Sequence, residues 1–309
     1  MAQTGSFADK LFRSALLMTA AIILVIVAAM VGVMIWNSLP TITRYGLSFL
    51  TSSEWAPAQS EFGALPFIYG TVVSSLIALV IAVPISLGIA IVLVEQAPQK
   101  IAAAIAFMVE LLAAIPSVVY GLWGIFVLAP FVRDYLGVFL ENYFGWLPLF
   151  QGRLTGIGML TGGIILALMI TPIITAVVRD VLEAVPTTQR EAALALGATD
   201  WEKTQVVLGN AASGIAGAVV LGLGRALGET MAVTMVIGNS PQISASLFEP
   251  AYTIASVLAA NFAEATDRLY LSALIEMGLV LFLVTFVVNA LAKLLVMRVA
   301  REKGAAGHV

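Results

Sequence analysis

Arg225 and Glu229, four residues apart in "GLGRALGET" (222–230), are the residues of this chain best placed to do chemistry. A guanidinium is a planar fork of donors that matches the oxygens of a phosphate-like anion. A carboxylate at i+4 on a helix reaches that fork and neutralises it. Both stand in a run from Gly214 to Gly238 that otherwise reads as membrane. A charge at a helix centre in a bilayer costs about 2.5–3.5 kcal/mol on insertion scales, so such groups face a protein interior or a wet cavity and find partners. Two uses compete. The pair holds helices together, or it lines a pathway in which Glu229 occupies Arg225 until an anion passes. Intramembrane ions favour the pathway. Tight capture is not expected, because a pathway must release what it admits. Glu110 and Glu276 are the other acids inside apolar runs. Glu110 is a candidate pathway residue or packing partner. Glu276, near the outer end of the last run, is expected to be solvated. Lys293, at the inner end of that run, can snorkel to the interface.

Composition excludes most other chemistries. Of 309 residues 61% are hydrophobic and 11% charged, which fits a polytopic membrane protein with short loops. Cysteine is absent and the single histidine is His308, so no thiolate site, histidine metal cluster or serine–histidine triad is available and no metal or cofactor is expected. Ser117 and the other serines have no histidine or aspartate in any span to activate them. A net charge of −3 gives no reason to expect a nucleic-acid partner.

The elements that position the pair follow from hydropathy. Six runs are long enough for the roughly 20 residues a span requires: about 14–36, 67–94, 102–128, 155–178, 212–237 and 271–296. The first exceeds a signal-peptide core of about 7–15 residues and reads as a retained helix. Lys10, Arg13, Lys100, Arg179, Arg190, Lys203, Lys293, Arg298, Arg301 and Lys303 would lie on one side, against Arg44, Arg133, Arg153 and Arg268 on the other. Both termini are therefore expected in the cytoplasm. The fold class is an all-α polytopic membrane protein, one transmembrane domain over 1–309 with its core at about 67–296. Outer loops fall near 37–66, 129–154 and 238–270, where Trp55, Tyr143, Trp146 and Tyr252 read as interfacial anchors or, together, as a docking surface. Pro116 should free the carbonyl of Leu112 and kink the third span.

On the fifth span, Gly217, Ala218, Gly222, Gly224, Arg225, Gly228, Glu229 and Ala232 share one side at 100° per residue; Val219, Val220, Leu223, Leu227 and Met231 share the other. Small residues allow close helix approach and leave room around a long side chain. The one long inner loop, 179–210, carries two capping-box patterns, Thr188/Glu191 and Thr199/Glu202, with Gly197 between them as a left-handed C′ residue. These predict a helix over 189–196, a sharp turn, and a second helix running into the fifth span. A rigid elbow of this kind suits docking.

"EAALALGA" (191–198) resembles the EAA loop of ABC importer permeases, although Gly209-Asn210 stands where Leu-Pro is common in that family. "GLGRALGETMAV", "ELLAAIPSVVYGLWG" (110–124) and "ITPIITAVVRDVLEAVP" (170–186) look like the C-type permeases of phosphate importers. The resemblance covers about residues 40–297 and implies a type I importer permease fold. It also implies that Glu191, Ala192, Ala193 and Gly197 dock on a cytoplasmic ATPase (PstB-type dimer), that a second permease (PstA-type) pairs with this chain, and that a periplasmic binding protein (PstS-type) delivers phosphate. The location implied is the bacterial inner membrane. Sulfate and molybdate permeases carry a related Arg-x-x-Gly-Glu, so the oxyanion stays open at this point. No P-loop, G-x-x-x-x-G-K-[ST], occurs in the chain, so ATP hydrolysis is expected in the partner. A secondary transporter, the alternative, leaves the long elbow without a purpose.

Overall fold

The computed structural model describes residues 7–306, with side chains for Asp9 and residues 11–294. The side chains of Lys10, Arg298, Arg301 and Lys303, and all of His308, lie outside the described residues. Among the described residues, six helices are long and apolar enough to cross a membrane: Leu11–Tyr45, Leu65–Gln96, Ser117–Phe144, Met159–Glu183, Asp200–Gly228 and Arg268–Leu294. Helices are the expected solution, since hydrocarbon offers backbone groups no partner and a helix satisfies them within one segment. Among the described residues no strand forms; two isolated bridges, Ala56 with Glu61 and Gly238 with Ala251, tie loops together.

The fourth span is the hub. Within its apolar window 67% is buried, against 28% for the second, third and fifth spans. Ile165, Leu166, Ile170 and Ile174 are fully buried in a core that also holds Ala78 and Ala82 of the second span and Ala218 and Ala226 of the fifth. Small residues set the spacing. A methyl added at Gly222 would stand 2.7 Å from the end of Ile174, so the fifth span approaches the fourth there too closely for alanine unless the Ile174 side chain shifts. Gly70 on the second span meets the backbone carbonyl of Tyr252 in the same way.

The first span stands apart over most of its length, none of its apolar window being buried. It joins the rest at its C-terminal end, where Ser38 and Thr41 are buried and the Thr41 hydroxyl hydrogen-bonds the Ser272 hydroxyl at 2.6 Å. Around that junction a second core gathers Phe49, Phe62, Phe67, Leu274 and Met277. Trp55 lies in it, 4.8 Å from Phe67 and 5.2 Å from Phe62 between ring centroids, and Tyr252 is buried beside Phe67. Tyr252 is thus a core residue and not an interfacial anchor, and Trp55 packs partly buried against the same core; Tyr143 and Trp146 are exposed.

Two spans differ from the hydropathy reading. The expected span 102–128 is broken at Ile115–Pro116 into Gln99–Ala114 and a helical run that continues to Phe144. The break is sharper than a kink: Ile115 is extended and Pro116 starts the next helix. The Leu112 carbonyl freed by the proline accepts the Tyr120 hydroxyl at 2.9 Å. The run then crosses 129–144, expected to be loop, because Arg133 and Asp134 neutralise each other at 2.7 Å and leave an apolar helix around them. Pro130 sits between two widened turns, Gly124–Leu128 and Val132–Leu136, where i+5 bonds replace the regular ladder. The expected span 212–237 starts earlier and stops earlier, as Asp200–Gly228; a break at Glu229–Thr230 precedes the short helix Met231–Val236.

Candidate functional site

The elbow between the fourth and fifth spans is built by local chemistry. Pro186 occupies the N-cap of the helix Thr187–Ala195. It displaces Thr188 to the second helical position, so the expected Thr188/Glu191 capping box does not form. The helix ends in a Schellman motif: Ala198 N–H donates to Ala193 C=O at 3.1 Å and Gly197 N–H to Leu194 C=O at 3.0 Å, with Gly197 at φ +87°. The second capping box does form. The Thr199 side chain accepts from Glu202 N–H at 3.3 Å, and the Glu202 carboxylate accepts from Thr199 N–H at 2.8 Å. From there one continuous helix of 29 residues carries the chain to Gly228.

The elbow presents itself outward. Glu191, Ala192 and Gly197 are exposed and Ala193 partly so. Leu196 is 90% exposed, with Trp201 and Leu194 also open. Glu191 makes no ion pair among the described residues.

Beneath the elbow lies a cluster that sequence reasoning missed. Glu95, at the end of the second span, has a side chain only 3% exposed. Its Oε1 accepts from Arg190 Nε at 2.9 Å, and its Oε2 lies 3.7 Å from Lys203 Nζ. Arg190 also donates to the carbonyls of Val185 and Leu182, at 2.5 and 2.8 Å. Those carbonyls lie at the end of the fourth span, where a cation is favoured by the helix dipole. The signal was present: Glu95 is the only acid between Glu61 and Glu110.

Arg225 and Glu229 do meet, Nη2 to Oε2, at 3.9 Å. They do so across a helix end. Glu229 is the residue at which the fifth span stops, and its Oε1 accepts from Ala232 N–H at 3.4 Å at the start of the next helix. Its side chain is 9% exposed and that of Arg225 46%. Arg225 belongs to an open stripe of Gly217, Leu221, Arg225, Gly228 and Met231. The expected two-sided division of this helix is therefore revised. Gly222 faces inward onto Ile174 with Leu223 and Leu227, Gly224 looks toward Asn289, and Gly228 faces open space.

Glu110 is not inside a span. It lies on Gln99–Ala114, exposed, 3.3 Å from Arg179, which also reaches Asp180 at 3.0 Å. Glu276 is not solvated: it is 7% exposed in the third turn of the sixth helix, and its Oε2 has no hydrogen-bond partner. Arg225 and Glu229 come together, while Glu110 sits in the separate Arg179 cluster.

Six membrane helices, one exposed and rigidly capped elbow, and an arginine on an open stripe of a span define a multi-pass membrane permease. Residues 82–301 match the family described as "Binding-protein-dependent transport system inner membrane component". The chain belongs to that family. It is similar to proteins named "Phosphate transport system permease protein PstC" from Xylella fastidiosa (strain Temecula1), 47% identical over 96% of this chain and 93% of the relative, and from Mesorhizobium japonicum, 45% identical over 96% and 92%. A relative from Methanocaldococcus jannaschii, named a probable PstC, is 36% identical over 87% of each chain. Among solved structures, a chain of the inward-facing MetNI methionine ABC transporter matches with a TM-score of 0.50 at 19% identity, covering 78% of this chain and 94% of that one. That likeness shows a fold shared with a chain of an ABC transporter.

Proposed function

We propose that this chain is a PstC-type permease subunit of an ATP-driven importer that carries inorganic phosphate across the bacterial inner membrane. The observation that carries this reading is the three relatives above, at 36–47% identity, each matching over 87% or more of this chain. The elbow supports it physically. A family member without a P-loop takes its energy by contact, and Glu191, Ala192, Ala193 and Gly197 stand on the exposed, conformationally fixed segment such contact requires. The partner there is a PstB-type ATPase dimer, and the elbow face is cytoplasmic by the positive-inside asymmetry.

The open stripe around Arg225 faces a second, PstA-type permease, with the pathway between the two. Phosphate arrives from a PstS-type binding protein at the opposite face. Arg225 offers the anion a guanidinium fork, and Glu229 occupies that fork between passages. At 3.9 Å, with Arg225 nearly half exposed, the pair is loose enough to be exchanged. Glu110 acts with Arg179 at the inner end of the pathway. Nucleotide binding shifts the assembly between inward- and outward-facing states by moving the elbow.

The test is ATPase stimulation in the reconstituted four-protein complex, comparing phosphate, sulfate and molybdate, each with its binding protein. Stimulation by phosphate alone supports the reading. Stimulation by sulfate or molybdate in its place assigns another oxyanion.

A further inference from the structure

The exposed part of the elbow, residues 191–202, is held at both ends by one buried carboxylate. Arg190 immediately precedes it and Lys203 immediately follows it, and both reach Glu95 of the second span. Arg190 is tied at the same time to the last carbonyls of the fourth span, and Lys203 lies in the first turn of the fifth. Three spans thus converge on the two ends of the elbow through Glu95 and the two cations it meets, Arg190 carrying the bonds to the fourth span.

Stability alone is a poor account of this arrangement. Burying ions costs desolvation, and apolar side chains of similar volume often stabilise as well or better. What the ions add is direction. A guanidinium bonded along three separate vectors has one orientation, so the helix Thr187–Ala195 cannot tilt without breaking a charge-assisted bond in a poorly solvated site.

Resting on the ABC importer reading above, we infer that Glu95 is a positioning residue for energy coupling: through Arg190, which itself holds the end of the fourth span, and Lys203 on the fifth, it locks the elbow to the second span so that a displacement imposed by the ATPase moves all three together. Without it the elbow still docks, but it swings on its own. Glu95→Gln keeps the size of the side chain and an acceptor for Arg190 and removes the charge that ties Lys203 to the second span, leaving Lys203 only its bond within the elbow to Asp200 at 3.1 Å.

The chain has no cysteine, so spin labels can be placed at Gln96 and Leu196, both exposed, with no background from this chain, in a complex whose partners carry no reactive cysteine. The experiment uses the full reconstituted complex, reads the distance distribution between those labels, and measures phosphate taken up per ATP hydrolysed. For Glu95→Gln the expected result is an assembled complex with retained ATPase activity, a broadened distance distribution, and phosphate per ATP lowered about tenfold. Glu95→Asp, which restores the charge, recovers much of both readouts. Unbroadened distances, or wild-type phosphate per ATP, in Glu95→Gln overturn the inference. If Glu95→Gln does not assemble, Lys203→Met is read in its place, because it leaves the Glu95–Arg190 bond intact; wild-type distances and stoichiometry there overturn it equally. The distance readout needs no transported ion, so its failure is distinguishable from an error in the substrate.

Discussion

Gly197→Ala isolates the rigidity of the elbow. Gly197 has φ +87°, and a methyl built on it meets nothing within 4 Å. The substitution therefore adds no clash with the rest of the protein, and its cost is that of forcing an L side chain into left-handed backbone, about 1–2 kcal/mol. Asparagine tolerates that region better. The penalty falls on the Schellman turn, whose donors are the amides of Gly197 and Ala198. Local opening should rise by a factor of about 5–30, since 1.4 kcal/mol is tenfold. Hydrogen exchange of the Ala198 amide, measured by mass spectrometry on the detergent-solubilised complex, reads this directly. Protection is expected to drop by that factor in Gly197→Ala and by less in Gly197→Asn, with the fourth span unchanged. Wild-type protection of Ala198 in Gly197→Ala would refute the claim that a left-handed glycine fixes the elbow, as would a uniform loss across all spans.

Other substitutions separate packing from function. Gly70→Ala drives a methyl into the backbone carbonyl of Tyr252, a neighbour that cannot rotate away, and is expected to destabilise by about 1–3 kcal/mol, read as a lowered unfolding temperature in detergent. Arg225→Gln is expected to lower phosphate uptake while changing stability by less than about 1 kcal/mol, because the ion pair it removes is long, Arg225 is nearly half exposed, and Glu229 keeps its bond from Ala232 N–H. Loss of assembly in that variant would make the pair structural. Glu191→Lys should insert normally yet lose ATPase docking or coupling, and normal uptake would remove Glu191 from the coupling surface. Tyr120→Phe leaves the Leu112 carbonyl without its hydroxyl donor and should cost about 1 kcal/mol in the same thermal assay.

What could be read in the sequence was what is decided locally. Six spans, the Thr199/Glu202 box and the left-handed Gly197 depend on residues within a few positions of each other, and all three stand in the structure. Local patterns misled where a neighbour competed. Pro186 took the cap from Thr188, and the adjacent Arg133–Asp134 pair hid a helix inside an apparent loop. Hydropathy also runs smoothly across Pro116 and Glu229, so it cannot show that the helices end there. Long-range contacts were out of reach. Glu95 meets Arg190 from 95 positions away, and rings brought together only by the fold bury Tyr252 and partly bury Trp55. The inward turn of Gly222 and the outward turn of Gly228, on one nominal face, likewise depend on where the fourth span lies.

The central claim is that this chain moves phosphate only when an ATPase drives it through the elbow. The most direct measurement is uptake of radiolabelled phosphate into proteoliposomes containing this chain, its PstA-type partner and the PstB-type ATPase, with PstS-type binding protein outside and ATP sealed inside. The account predicts accumulation against a gradient that disappears when ATP, the ATPase or the binding protein is omitted. Accumulation that persists without the ATPase would contradict it and identify a secondary transporter.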